Sequence, residues 1–99
     1  MRIEILYFRG CPHYEPTVAR VRDVVRRKGL DVDIHEVEVR NEADAQSLRF
    51  LGSPTIRIDG VDIEPSAEER TEFSLSCRMY EGSGIPPCEM VARALSRAH

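Results

Sequence analysis

The stretch that most constrains the fold is an apolar run that ends in a glycine and is followed at once by a cysteine and a proline. Residues 2–8 carry strand-forming side chains on both parities, which is typical of a strand buried on both faces in the middle of a sheet. Arg9-Gly10 ends this run, and Cys11 follows where a helix is expected to begin. Pro12 then takes the first helical position, which tolerates proline. The pattern predicts a strand–turn–helix unit with a thiol at the turn.

A thiol at the start of a helix lies near unpaired backbone N–H groups and the positive end of the helix dipole. Both favour the thiolate, which is the nucleophile and the metal ligand. Arg9 and His13 would act in the same direction, although His13 is equally compatible with an exposed first-turn residue. The plain alternative for Cys11 is a small buried hydrophobe. Its position favours a functional thiol, and we expect it to be the most reactive cysteine.

The first helix is expected from about Tyr14 to Lys28, with Gly29 as its stop. Its apolar stripe consists of Tyr14, Val18, Val21 and Val25. Pro16 predicts either a bent first turn or a regular helix that starts at that residue. Residues 32–39 form the next strand, which follows a helical crossover and should be parallel to the first. Its alternation is imperfect, which a bulge or an edge position would explain.

The second half begins with a helix that Asn41 caps and that is predicted to end at Gly52. Residues 55–58 and 61–63 then make a hairpin around the turn signal Asp59-Gly60.

A polar loop is expected over residues 64–72. Residues 73–80 alternate and predict a short added strand, and residues 82–84 end it. The inward side of that strand would carry Phe73, Leu75, Cys77 and Met79. A closing helix is expected from about Pro87.

Composition bounds the class of protein. Ninety-nine residues, 41% hydrophobic and 31% charged, are expected to form one domain spanning 1–99. A net charge of −3 gives no reason to expect a nucleic-acid partner, and no apolar stretch approaches the roughly 20 residues that span a bilayer. The N-terminus does not read as a signal peptide, and three unevenly spaced cysteines do not form a secreted disulfide framework. A cytoplasmic protein with reduced thiols is therefore expected.

The order strand, helix, strand, helix, hairpin, insert and helix resembles the thioredoxin fold over nearly the whole chain apart from residues 64–84. Cys-Pro-His-Tyr at 11–14 stands where that superfamily has Cys-x-x-Cys, and its first three residues are similar to the Cys-Pro-His-Cys of bacterial disulfide oxidants. Gly-Ser-Pro-Thr at 52–55 is similar to the loop whose proline is cis and faces the active cysteine. With Leu-Ser-Cys-Arg-Met-Tyr at 75–80, the chain more narrowly resembles small bacterial thioredoxin-like proteins often labelled alkylmercury lyase-like.

The resemblance implies an α/β, thioredoxin-like three-layer fold. It has a mixed four-stranded sheet flanked by helices and an insert before the last helix. It also implies a cis Ser53–Pro54 bond. Tyr14 replaces the resolving cysteine, so a disulfide within the motif is impossible. Monothiol glutaredoxins also carry only the first cysteine, so one thiol is compatible with redox work.

The leading hypothesis is a thioredoxin- or glutaredoxin-like protein that exchanges disulfides through Cys11, with Cys77 or an external small thiol as the resolving group. The groups expected to line the site are Pro12, His13, Tyr14, Ser53, Pro54 and Thr55. Its partner would be a small-molecule thiol or a protein disulfide. Core packing is the plain alternative for Cys77, and Cys88 is expected to take no part.

Two other functions remain open. One is a soft-metal or organomercurial binding protein with Cys11 and Cys77 as thiolate ligands. The other is a non-catalytic thioredoxin-fold domain that binds a partner. The cysteine and histidine spacing does not match a zinc site, so no resident metal or cofactor is predicted.

Overall fold

A computed structural model describes residues 1–98, so His99 of the predicted domain lies outside the described residues. The chain is α/β, with an open four-stranded sheet and three α-helices. The elements in chain order are β1 (Arg2–Tyr7), α1 (Tyr14–Lys28), β2 (Asp33–Glu38), α2 (Glu42–Ser47), β3 (Thr55–Ile58), β4 (Val61–Asp62), a 3-10 turn (Pro65–Glu69) and α3 (Cys88–Ala98). Within this range, no helix is both long and apolar enough to cross a membrane.

The sheet has the order β2-β1-β3-β4. β1 pairs parallel with β2 and antiparallel with β3, and β3 continues antiparallel into β4. The predicted mixed four-stranded sheet is therefore confirmed, as is the parallel crossover from β1 to β2. Because β3 runs opposite to β1, the residues that precede β3 lie at the end of the sheet where β1 finishes. That end also carries the turn that leads to α1.

Each face of the sheet has its own apolar cluster, because both parities of β1 are apolar. Ile3 and Ile5 pack in a cluster with side chains of α1 and α3, whereas Leu6 packs on the other face with Ala45 of α2 and with Phe50. Each fully buried aliphatic side chain of this kind stabilises the fold by about 1.5–3 kcal/mol. The first cluster also takes up Ile56 and Ile58 of β3, so Thr55 and Arg57 of the same strand are available for polar contacts.

The imperfect alternation of β2 follows from the same two clusters. Ile34 packs on the first cluster and Val37 on the second, so apolar side chains of different parity are both used. The pairing with β1 is continuous from Asp33 to Glu38 and contains no bulge. Of the two predicted explanations, the edge position is correct.

The helix ends test the predicted stop signals. α1 ends at Lys28 with Gly29 in a left-handed conformation (φ 65°), and the side chain of Asn41 accepts a 2.8 Å bond from the N–H of Asp44, as predicted. The prediction that the second helix runs to Gly52 is wrong, because it ends at Ser47. Arg49 there adopts φ 54°, and the N–H of Phe50 donates back to the carbonyl of Ala45, as in a Schellman motif.

The hairpin and the closing helix agree with the sequence. Asp59 and Gly60 have φ values of 49° and 85°, which is the signature of a tight type I′ turn. α3 begins at Cys88, which is exposed. The short strand predicted over residues 73–80 is wrong. Residues 73–80 form only two isolated bridges, Ser53 with Cys77 and Tyr80 with Ser83.

Candidate functional site

Cys11 lies in a tight turn between β1 and α1. Its N–H donates to the carbonyl of Phe8 at 3.2 Å, and its carbonyl accepts from the N–H of Tyr14 at 3.4 Å. The residue is only 8% exposed. The thiol is therefore set against the end of the sheet, with a small accessible surface.

The regular helix starts at Tyr14, as predicted from its apolar stripe, and not at Cys11 or at Pro16. α1 begins at Tyr14 with His13 as its N-cap, so the expectation that Cys11 opens the helix and Pro12 is its first residue is wrong. The physical reason is Pro16, which has no N–H to donate to the carbonyl of Pro12. With the start at Tyr14, Pro16 falls among the residues whose N–H groups have no intrahelical partner, and the first helical bond runs from Thr17 to His13 at 3.1 Å.

Arg9 and His13, which are expected to favour the thiolate of Cys11, have different surroundings. The side chain of Arg9 is 90% exposed and its nearest carboxylate, on Glu38, is 4.0 Å away, so its charge is largely solvated. His13 is half-buried, and its imidazole rests on Gly84, where an added Cβ would overlap the ring. Gly84, the last residue of the insert, therefore leaves the space that the imidazole of His13 occupies.

Tyr14, which stands in the place of a resolving cysteine, has a packing role. Its ring stacks on Tyr7 with centroids 3.7 Å apart and an interplanar angle of 7°. Its hydroxyl bonds to the carboxylate of Glu36 on β2. The side chain thus connects the first turn of α1 to the two parallel strands, in agreement with the place of Tyr14 in the apolar stripe of the helix.

Ser53 is the residue on which the candidate site converges. It is fully buried, and its Oγ accepts from the N–H of Phe8 at 3.4 Å. Its own N–H donates to the carbonyl of Ser76 at 2.8 Å, and its carbonyl accepts from the N–H of Arg78 at 3.0 Å. Ser53 therefore lies between the segment that leads to Cys11 and the segment that carries Cys77.

The rest of the predicted loop is held just as tightly. The Ser53–Pro54 peptide bond is cis. The hydroxyl of Thr55 donates to the carbonyl of Gly52 at 2.6 Å and accepts from the guanidinium of Arg78 at 3.3 Å. Gly52 has φ 117°, and an added Cβ would lie 2.9 Å from the Cβ of Arg78. The close approach of the two segments requires glycine at this position.

Cys77 lies beside Ser53 but faces outward. The prediction that it points inward with Phe73, Leu75 and Met79 is wrong: Cys77 is exposed and Met79 is 56% exposed. The inward positions belong to Arg78 and Tyr80, which are buried. Cys77 is consequently an accessible thiol and not a core residue.

Arg78 is the important residue that sequence reasoning missed. It is 2% exposed, and its guanidinium makes a bidentate pair with Asp62 at 2.7 and 2.9 Å and a further bond to Glu64 at 2.7 Å. It also lies 4.5 Å from the ring centroid of Tyr80. Burial disfavours the charge, but the bonds to both carboxylates outweigh it and raise the pKa of Arg78. The available signal was Asp62 and Glu64, two acids at the end of the hairpin that need a cation if they are not solvated.

Tyr80 completes this buried cluster. Its hydroxyl donates to the carbonyl of Pro54 at 2.5 Å, so it fastens the far end of the segment to the same loop. Burial raises the pKa of Tyr80 well above the ordinary tyrosine value, and the charge of Arg78 offsets this only in part.

Comparisons with protein-family models, with curated proteins and with solved structures find no match. Among residues 1–98 no group of three or more His, Cys, Asp or Glu side chains is arranged to hold a metal ion. The chemistry of the site is therefore inferred from the turn at Cys11, the buried Ser53 and the exposed thiol of Cys77.

The first prediction concerns the buried ion pair. Asp62→Asn leaves the buried Arg78 charge without its bidentate partner and is expected to lower the free energy of unfolding by about 3–5 kcal/mol. Glu89→Gln is the matched control, because it breaks an exposed pair with Arg93 on α3 and should change stability little. Urea unfolding of the three proteins measures both effects. Equal stability of the two variants would contradict the structural role given to Arg78.

The second prediction concerns alkaline pH. Above about pH 10 the unfolded chain loses the proton of Tyr80 while the folded chain keeps it, so stability should fall as pH rises, by up to about 1.4 kcal/mol per pH unit for this group. Tyr80→Phe should be less stable at neutral pH, because it lacks the bond to the Pro54 carbonyl, and should show a shallower alkaline decline. Urea unfolding at a series of pH values tests this. Parallel declines in both proteins would show that the proton of Tyr80 is not linked to folding.

Proposed function

We propose that this chain is a thioredoxin-like thiol redox protein that exchanges disulfides through Cys11 and uses Cys77 as its resolving thiol. The element order and the sheet order β2-β1-β3-β4 support the thioredoxin-like assignment. The observation that carries the functional proposal is the position of Ser53. It bonds to the segment before Cys11 on one side and to the backbone around Cys77 on the other.

The proposed reaction has two exchange steps. The thiolate of Cys11 attacks a disulfide RS–SR′, an S–S bond forms between Cys11 and SR, and R′S⁻ leaves and takes up a proton. The thiolate of Cys77 then attacks the sulfur of Cys11 and releases RS⁻, which leaves an internal disulfide. The substrate gains two electrons and becomes two thiols, while the protein loses two electrons. An external thiol reductant regenerates both cysteines.

The exposure of the two thiols agrees with these roles. Cys11 presents a small surface inside a shaped turn, so it would meet a disulfide in few orientations. Cys77 is exposed, so its sulfur is accessible for attack on a mixed disulfide. A direct disulfide requires the two Cα atoms to come within about 7 Å.

A small-molecule disulfide is the favoured substrate. An extended peptide binds a protein most simply by pairing with free backbone groups at a sheet edge. Beside Cys11, both backbone groups of Ser53 are already bonded to Ser76 and Arg78. The insert therefore occupies the backbone that a peptide substrate would need, and a small mixed disulfide makes no such demand.

The third prediction is that Cys11 reacts faster than its exposure predicts. Accessibility alone would make Cys77 and Cys88 the faster thiols, since both are exposed. We expect iodoacetamide to modify Cys11 first at neutral pH, as followed by peptide mass spectrometry. Slower modification of Cys11 than of Cys88 would refute its role as the nucleophile.

The fourth prediction is the fate of a mixed disulfide. With glutathione disulfide, the wild-type protein should form an internal Cys11–Cys77 disulfide, whereas Cys77→Ser should accumulate glutathione on Cys11. Cys88→Ser is the matched control and should behave as wild type. Accumulation of the Cys11 adduct in wild type as well would assign resolution to an external thiol and remove Cys77 from the mechanism. Failure of Cys11 to react at all would refute the proposed function.

A further inference from the structure

A cleft of about 240 Å³ opens between the end of α2, the β3–β4 hairpin and the 3-10 turn. Its lining includes Arg49, Arg57, Arg70, Leu51, Val61 and Phe73. The cleft therefore joins three guanidinium groups to an apolar wall. None of these residues takes part in the thiol chemistry proposed above.

Among the described residues, two of the three arginines have no carboxylate within ion-pair distance. Arg70 is paired with Glu72, 2.5 Å away. Arg49 lies over the ring of Phe73 at 5.1 Å from its centroid, and Arg57 donates from one nitrogen to the carbonyls of Leu48 and Arg49 at 2.6 and 2.9 Å. In the part of the chain that the structure describes, neither Arg49 nor Arg57 forms an ion pair with a carboxylate.

The nearby acids form no ion pair with Arg49 or Arg57 in the described residues, although Glu4 and Asp62 lie opposite Arg57 on the neighbouring strands. Asp62 also lines it, but both of its carboxylate oxygens bond to the buried Arg78. Glu68 is exposed at the rim and is the one acid of the lining outside these pairs. Burial lowers the pKa of Arg57, with Coulombic attraction to Asp62 and Glu4 opposing the shift. Its guanidinium is thus a partly desolvated cation, which an anion in the cleft would stabilise.

We propose that this cleft binds a small organic anion, with its carboxylate or phosphate on Arg57 and Arg49 and its apolar body against Phe73, Leu51 and Val61. The volume sets the size of the ligand. It is below the roughly 300–1,000 Å³ of sites for drug-sized molecules, yet larger than an engineered cavity of about 150 Å³ that holds benzene. A single aromatic ring with one acidic group fits both limits.

The test uses the full chain and two defined probes, benzoate and phenyl phosphate, followed by NMR shifts of backbone amides. At millimolar concentrations at least one probe should give saturable shifts at Gly60, Val61 and Phe73, whereas benzyl alcohol, which lacks the charge, should not. Arg49→Gln, at an exposed position, should weaken binding about tenfold. Arg57→Gln should weaken it at least as much, with circular dichroism as the check of its fold.

Two further variants separate charge recognition from structural damage. Glu68→Gln removes the opposing rim charge and should tighten binding about two- to threefold, which a merely disrupted cleft would not do. Arg93→Gln, on the exposed face of α3, should leave binding unchanged. Absence of saturable shifts with both probes, equal shifts with benzyl alcohol, or unchanged binding in Arg49→Gln would each overturn the proposal. Because none of these variants alters a cysteine, the outcome is independent of the disulfide exchange at Cys11.

Discussion

The second half of this chain depends on one buried cation. Arg78 is held by a bidentate pair with Asp62, a bond to Glu64 and the ring of Tyr80, and its backbone N–H bonds to Ser53. Removing a guanidinium from water costs several kcal/mol, and the bonds to Asp62 and Glu64 offset this cost even though the Nε of Arg78 is buried without a hydrogen-bond partner. Residues 73–80 form no regular strand, so these side-chain bonds add to the few backbone bonds that join the segment to Phe50 and Ser53.

That anchor also decides which way Cys77 faces. Successive side chains of an extended segment alternate, so burial of Arg78 and Tyr80 places Cys77 and Met79 on the outside. Gly52 lets the backbone of this segment approach the loop before β3, where a Cβ would collide with it. The backbone of the exposed Cys77 is therefore held in a defined position beside Ser53. A loop of the same length without these contacts would not define its position.

Elements that depend on local sequence patterns were predicted correctly, whereas features that depend on tertiary contacts were not. β1, α1 and the hairpin were predictable because their patterns, stop signals and turn residues are local. α2 was predicted too long because the left-handed Arg49 and the buried Phe50 end it through tertiary packing. The start of α1 was readable in principle from Pro16, since a proline without a donor fixes how far the helix extends towards the N-terminus.

Residues 73–80 failed for a different reason. Hydrophobic alternation assigns Phe73, Leu75 and Met79 to the inside, and this rule assumes that charged side chains stay in water. Arg78 is buried instead, because its bonds to Asp62 and Glu64, at the end of the hairpin, offset the free-energy cost of its desolvation. The sequence alone therefore could not predict that Cys77, a candidate resolving thiol, faces outward and is exposed.

The same ion pair also lies beside the cleft lined by Arg49 and Arg57. Asp62 lines the arginine cleft, yet both of its carboxylate oxygens are bonded to Arg78, so it is not available to pair with Arg57. The interaction that fixes Cys77 beside Ser53 therefore also directs the carboxylate of Asp62 to Arg78, and Asp62 acts on Arg57 only through Coulombic attraction. The position of Cys77 and the proposed anion binding therefore both depend on the ion pair between Asp62 and Arg78, although the two sites share no reacting group.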